Sequence, residues 1–257
     1  MYQHIVEDLT SYGFCVITLS SYPSYHIPFL GSNQEFPEEK SGEDLLKQID
    51  VETINKANDL KFVIDQMKKG EVEGIANIAD VNTIGVLGHS VGGAAASQAV
   101  RKGNGSIQAG VNMDGSLNRE DDAEPIIQPF LHITSTDAFT STEAEPEGST
   151  EIIKRWEDFH KSSPNSQWLF LHNAKHMDFA SSDLYVGRPE SDTQNTVRKI
   201  STKHIAAFFQ EHLKKAPPSE LFNEKTIIKV IETYDHTQSE EATTQMLKNI
   251  KHKFSKL

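Results

Sequence analysis

The chain has 257 residues, of which 37% are hydrophobic and 24% are charged, and its formal net charge is −12. This length is sufficient for one large α/β core. The acidic balance argues against a nucleic-acid partner, because binding to phosphates requires clustered Lys and Arg side chains. The single cysteine, Cys15, excludes an internal disulfide, and its apolar neighbours predict that it is buried as a small hydrophobe.

The first part of the chain predicts a helix, a strand, a loop and a second helix. Apolar residues at helical spacing near the N-terminus predict a short helix that ends at Gly13. The apolar run at 14–19 predicts a strand. Several prolines over 20–42 predict a long loop, and a helical apolar pattern predicts a helix over 50–69.

Residues 83–100 predict a strand, a sharp turn and a helix. An apolar run leads into Gly-His-Ser-Val-Gly-Gly at 88–93, and small residues follow. A serine at such a turn is lifted above the edge of a sheet, and glycines flank it where a Cβ would clash. Ser90 is therefore a candidate nucleophile. The other residues of this nucleophile elbow are Gly88, His89 and Gly92. The alternative, a phosphate-binding turn, is disfavoured because no Gly-Lys-Ser/Thr follows.

The remaining elements alternate between strands and helices. Strand-like runs lie at 109–113, 129–134 and 167–171, and amphipathic helices are predicted around 152–159 and 205–213. This alternation predicts an α/β fold with a mostly parallel sheet flanked by helices, and a functional site at the carboxyl ends of the strands. Residues 137–150 predict an acidic loop. Residues 217–257 predict a mainly polar helical appendage.

A serine hydroxyl is a poor nucleophile near neutral pH, so Ser90 would need a base and an acid that orients the base. His176 lies just past the last strand and is the candidate base. Asp114 directly follows the strand at 110–113 and is the candidate acid, and Asp137, after the next strand, is the alternative acid. Either aspartate could instead cap a turn. The neighbouring His89 is expected to point away from the reaction centre.

Three motifs together resemble the platelet-activating-factor acetylhydrolase group of α/β-hydrolases, which is close to bacterial lipases and polyester-cleaving esterases. They are Gly-His-Ser-Val-Gly-Gly-Ala-Ala at 88–95, Gly-Val-Asn-Met-Asp-Gly at 110–115 and Ala-Lys-His-Met-Asp-Phe at 174–179. The resemblance covers residues 1–213 and implies that Asp114 is the acid. It also implies hydrolysis, without metal or other cofactor, of a short or oxidised acyl chain from a phospholipid, or of simpler esters.

The chain departs from this group at its N-terminus. Members of the group begin with three more strands, and the loop after the third supplies one backbone N–H of the oxyanion hole. Here the first residues already resemble the helix after that loop, so we expect a sheet without the first three strands. The N–H of Val91 would remain as one oxyanion donor. Either the strands at 14–19 and 83–87 close up against each other, or the chain is a piece of a longer protein.

The sequence thus predicts an α/β-hydrolase domain over 1–216 and a helical appendage over 217–257. The expected activity is serine carboxylic-ester hydrolysis through an acyl-enzyme, on a small-molecule or lipid ester. The alternative is a non-catalytic or inactive fragment of a hydrolase-fold protein. No apolar run approaches the roughly 18 residues of a membrane helix, and no signal-peptide pattern opens the chain. We therefore expect no stable membrane insertion.

Overall fold

The computed structural model describes residues 2–20, 42–117, 124–135, 155–171, 174–181 and 191–222. Its helices are α1 (Gln3–Ser11), α2 (Gly42–Lys68), α3 (Ile75–Ile78), α4 (Val91–Lys102) and α5 (Asp192–Lys214), with short 3-10 helices at His176–Phe179 and Glu220–Phe222. Residues 155–162 are also helical. The strands are β1 (Gly85–His89), β2 (Ala109–Met113), β3 (Phe130–Ser135) and β4 (Ser166–Leu171).

The four strands form one sheet in the order β1-β2-β3-β4, and every pairing between neighbours is parallel. Parallel strands place their carboxyl ends at one edge, where Ser90, Asp114 and the residues after β3 and β4 therefore meet. The α/β fold class predicted from the sequence is confirmed. Four strands also agree with a sheet that lacks the first three strands of the family named above.

Helices cover both faces of the sheet, as parallel sheets require. On one face α1 and α5 pack against alternate residues of β2, β3 and β4, among them Val111, Ile133 and Leu169. On the other face α2, α4 and the helical segment 155–162 contribute to a second core with Val86 and Phe130. Successive strand residues point to opposite faces, so each strand contributes to both cores.

The closing helix α5 begins earlier than the predicted 205–213 and ties down the N-terminal helix. Its first turn is capped by Ser191, whose hydroxyl accepts a hydrogen bond from the Gln194 N–H at 3.1 Å, while the Gln194 side chain accepts one from the Ser191 N–H. At its other end Lys214 donates to the carbonyls of Tyr12 and Gly13, at 2.7 and 3.0 Å. These contacts fix α1 near the sheet.

The strand predicted at 14–19 is wrong, because residues 14–20 form no helix or strand. Phe14 packs edge-on against Phe209 of α5, with ring centroids 6.2 Å apart, but Ile17 and Leu19 are exposed. An apolar, β-branched run becomes a strand only where a neighbouring strand takes its N–H and C=O groups. The prediction that Cys15 is buried is wrong for the same reason, since this cysteine is exposed.

Several other predictions meet the structure only in part. Helix α2 begins at Gly42, earlier than the predicted residue 50, and the preceding loop lies outside the described residues. The acidic loop at 137–150 and most of the appendage also lie outside them, so the division at residue 216 stays a prediction. At the start of that appendage, Phe222 packs against His204, with ring centroids 5.6 Å apart. Within the described ranges, every helix is too short or too polar to span a lipid bilayer.

Candidate active site

Ser90 lies on a strained turn between β1 and α4. Its backbone has φ 58° and ψ −128°, a conformation that non-glycine residues adopt only when their surroundings enforce it. The Ser90 N–H donates to the Met113 carbonyl at 2.9 Å, and the Ser90 carbonyl accepts from the N–H groups of Gly93 and Ala94. These bonds hold the serine between two strand ends with its side chain above the sheet.

Two positions of the elbow have no room for a Cβ and therefore require glycine. They are Gly88 and Gly93, whereas the sequence predicted Gly88 and Gly92. A Cβ on Gly88 would lie 2.2 Å from the Gly92 backbone, and a Cβ on Gly93 would lie 2.2 Å from Asn112 Oδ1. A Cβ on Gly92 would meet no atom within 4 Å. The expected clash is therefore confirmed at Gly88 and wrong at Gly92, because the close approach of β2 falls on Gly93.

Asn112 holds the turn after β2 against the elbow through hydrogen bonds, a role that was not predicted from the sequence. It is fully buried, and its amide nitrogen donates to Ser97 Oγ and to the Gly115 carbonyl, at 3.0 and 3.2 Å. Its Oδ1 accepts from the Gly115 N–H at 2.8 Å. Asp114 lies within this closed turn at a φ of 53°. The turn therefore fixes the direction in which the Asp114 carboxylate points.

The structure brings together the three residues that the sequence singled out. His176 Nδ1 lies 2.7 Å from Asp114 Oδ2, and His176 Nε2 lies 3.0 Å from Ser90 Oγ. The Asp114 side chain is fully buried, whereas that of His176 is 39% exposed. Asp137, the alternative acid, lies outside the described residues. The arrangement can pass the Ser90 proton to an imidazole whose other nitrogen is held by a carboxylate.

Ser135, the last residue of β3, also contacts the carboxylate and was not predicted. Its N–H donates to Asp114 Oδ1 and its hydroxyl donates to Asp114 Oδ2, both at 2.7 Å. Two contacts from Ser135 and one from His176 therefore hold the Asp114 carboxylate. The only sequence signal for Ser135 was its position at the end of the strand beside β2. Serines at strand ends are too common for this position to indicate a role.

The loop that carries His176 is anchored by its own 3-10 helix, His176–Phe179. Asp178 Oδ2 accepts from the Lys175 N–H at 2.8 Å, which caps the first turn. Phe179 is 1% exposed and belongs to the core under α1 and α5. Burial of Phe179 therefore helps to fix the loop that carries His176 at the edge of the sheet.

His89 does not point away from the reaction centre, so that expectation is wrong. Its ring lies against the His176 ring, with centroids 4.5 Å apart and planes tilted by 35°. Its Nδ1 is 2.6 Å from the hydroxyl of Tyr2. Burial lowers the pKa of His89 to about 4 and raises the pKa of Tyr2 to about 12, so both are neutral near pH 7. The hydrogen bond from Tyr2, the residue before α1, and the contact with His176 hold the His89 side chain beside the elbow.

The start of α4 and a cluster of three side chains are two further features of the site. Val91 is the first residue of α4, a position whose N–H has no acceptor within the helix. His89, Asp114 and His176 each have one atom of a type that binds metal ions, and these three atoms lie within 4.8 Å of one another. This spacing could hold a metal ion. The closest of these contacts is the hydrogen bond between Asp114 and His176.

Neither a protein-family model nor a curated protein sequence matches this chain. Among solved structures, the chain is similar to a ferulic acid esterase from Streptomyces cinnamoneus, with 25% sequence identity and a TM-score of 0.54. The match covers 75% of this chain and 59% of the esterase chain, so this chain spans less than two thirds of that protein. This likeness, together with the parallel sheet, gives the chain a hydrolase-type α/β fold. It does not extend to the platelet-activating-factor acetylhydrolase group.

Proposed function

We propose that this protein is a serine carboxylic-ester hydrolase that works through an acyl-enzyme on Ser90. The observation that carries the proposal is the unbroken series of contacts from Asp114 Oδ2 to His176 Nδ1, at 2.7 Å, and from His176 Nε2 to Ser90 Oγ, at 3.0 Å. Both contacts have the length of good hydrogen bonds, and their order is that of a nucleophile, a base and an orienting acid. The likeness to a ferulic acid esterase supports the same reaction class.

In this mechanism Ser90 Oγ attacks the ester carbonyl carbon while His176 Nε2 takes the hydroxyl proton. Asp114 stabilises the resulting imidazolium, and the Val91 N–H binds the oxyanion. The ester C–O bond then breaks, and His176 returns the proton to the leaving alcohol. His176 then takes a proton from a water molecule that attacks the acyl-Ser90 carbonyl. It returns this proton to Ser90 Oγ as the bond from Oγ to the acyl carbon breaks and the carboxylic acid leaves.

The proposed substrates are short-chain or phospholipid-type esters, in the manner of the platelet-activating-factor acetylhydrolase group. The three sequence motifs at 88–95, 110–115 and 174–179 support this class, because each motif contributes one of the three residues that meet at the site. An ester of ferulic acid is the alternative substrate, supported by the structural neighbour. The two classes differ in the acyl group, which is aliphatic in one and aromatic in the other.

The test is hydrolysis of a panel of esters by the purified chain and its Ser90→Ala variant. The panel contains p-nitrophenyl acetate and butyrate, a phospholipid with a short acyl chain, and methyl ferulate. We expect hydrolysis by the wild type and a loss of about four or more orders of magnitude in kcat for the variant. Ser162→Ala is the matched control, since Ser162 is exposed on the helical segment 155–162. Equal turnover in all three proteins would overturn the proposal.

A further inference from the structure

We propose that Tyr2 and His89 form a positioning pair that holds the His176 ring in the orientation that its bonds to Ser90 and Asp114 require. The inference rests on the proposed function, in which His176 is the base. Neither residue touches the reacting hydroxyl. Both would act through His176, by supporting the face of its ring.

The hydrogen bonds of His176 to Asp114 and Ser90 act at the edge of its ring. They meet the ring at Nδ1 and Nε2, and bonds to ring nitrogens lie near the plane of the ring. The side chain is 39% exposed. The His89 ring, 4.5 Å away between centroids, packs against the face of the His176 ring and limits its tilt. A tilt would misdirect the lone pair that receives the Ser90 proton.

His89 can provide a fixed surface because it is itself held on several sides. It is 8% exposed, its ring lies 5.4 Å from that of Phe179, and its Nδ1 is 2.6 Å from the Tyr2 hydroxyl. Tyr2 packs against the core under α1 and α5, so its hydroxyl is anchored as well. A single hydroxyl hydrogen bond thus sets the rotation of the His89 ring.

The same hydrogen bond favours one tautomer of His89. The Tyr2 phenol stays protonated and can donate to Nδ1, which places the His89 proton on Nε2. Nε2 is buried and has no hydrogen-bond partner of normal geometry among the described residues. The His176 backbone lies near enough to favour the protonated His89 ring. The Nε2 proton therefore points towards the loop that carries the base.

The charge state of His89 also suits this role. The groups that face it are Tyr2, which precedes α1, Asp114, which follows β2, and His176 and Phe179 from the 3-10 helix. When His176 becomes an imidazolium during the reaction, a second positive ring against its face would repel it. Burial keeps the pKa of His89 near 4, so His89 presents a neutral face to the developing charge.

The test is a double-variant cycle with Tyr2→Phe and His89→Phe. Tyr2→Phe removes only the hydroxyl, and we expect kcat to fall about threefold to tenfold with unchanged KM, the equivalent of one hydrogen bond. In the His89→Phe background the same change should have no further effect, because a phenylalanine ring offers no acceptor for the hydroxyl. His89→Ala should cost more than His89→Phe, since only the phenylalanine variant keeps a ring face against His176. Tyr12→Phe is the control, because Tyr12 is 46% exposed.

A second readout needs no substrate. The proton between His176 Nδ1 and Asp114 gives a downfield NMR signal, which we expect to broaden in Tyr2→Phe and His89→Ala at unchanged Tm. An equal kcat loss from Tyr2→Phe in both backgrounds, or an unchanged signal in both variants, would overturn the positioning role. If the wild type hydrolyses no ester while the signal still broadens in the two variants, the proposed function is overturned and the positioning pair stands.

Discussion

Ser135 binds both oxygens of the Asp114 carboxylate, through its N–H to Oδ1 and its hydroxyl to Oδ2, each at 2.7 Å. Oδ2 is also the atom that His176 contacts. The end of β3 therefore determines where the carboxylate stands relative to the imidazole. Replacement of Ser135 by Ala keeps the hydrogen bond from the backbone N–H to Asp114, so it removes the contribution of the hydroxyl alone.

We expect Ser135→Ala to lower kcat about threefold to tenfold, the usual effect of one hydrogen bond on the stability of a reacting state. KM should stay unchanged, since Ser135 lies behind Asp114 and not against the substrate. Steady-state kinetics on an active ester measure both constants. A kcat equal to that of the wild type would mean that the hydroxyl does not help to position the carboxylate.

Exchange of Asp114 for Asn tests the choice of the acid. Asparagine keeps the shape of the side chain but cannot stabilise an imidazolium, and it favours the wrong His176 tautomer. We expect kcat to fall by about four orders of magnitude. Asp137→Asn is the matched control and should change kcat little. The reverse pattern, a large loss only at Asp137, would assign the acid to Asp137.

The elbow glycines offer a steric test with a built-in control. Gly93→Ala should lower the unfolding free energy by about 1–3 kcal/mol, because its Cβ would lie 2.2 Å from Asn112 Oδ1 in a closely packed site. Gly92→Ala meets open space inside a helix, so it should raise stability by about 0.5–1 kcal/mol. Thermal melting of the two variants measures both. Equal melting temperatures would contradict the packing described around Asn112.

The elbow also shows how far the sequence alone could go. Ser90 and His176 could be singled out because each follows an apolar run that predicts a strand. The same runs left both Asp114 and Asp137 as candidate acids, and the choice of Asp114 came from the family resemblance. The motif could not say which glycine is sterically required, since that depends on how closely β2 approaches α4. The prediction of a strand at 14–19 failed because a local pattern of apolar residues does not show whether a neighbouring strand pairs with it. The contacts of Ser135 and Tyr2 join residues far apart in the chain, which no spacing predicts.

Stability should depend on pH through a histidine pair formed by the buried His132 and the partly buried His160. His132 is fully buried, and its Nδ1 lies 3.3 Å from His160 Nε2. Burial lowers the pKa of both histidines, that of His160 to about 3. Between pH 6.5 and about 3 His160 therefore binds a proton in the unfolded chain but not in the native state. Unfolding free energy should fall as pH drops through this range, by about 1.4 kcal/mol per pH unit for His160, and His132 should contribute in the same direction.

His132→Gln removes one of these groups, so the decrease in Tm between about pH 7 and about pH 5 should be smaller in the variant than in the wild type. The comparison between the two pH values cancels any constant loss of packing. His160 remains, so part of the pH dependence should persist. The same decrease in both proteins would mean that His132 does not contribute to the acid sensitivity.

Covalent labelling is the most direct test of whether Ser90 is an activated nucleophile. A fluorophosphonate probe reacts with an activated serine and requires no knowledge of the substrate. We expect the wild type to gain one probe, located at Ser90 by peptide mass spectrometry, and Ser90→Ala to gain none. A folded wild type that remains unlabelled, or a probe carried by another residue, would contradict the role of Ser90 as the nucleophile.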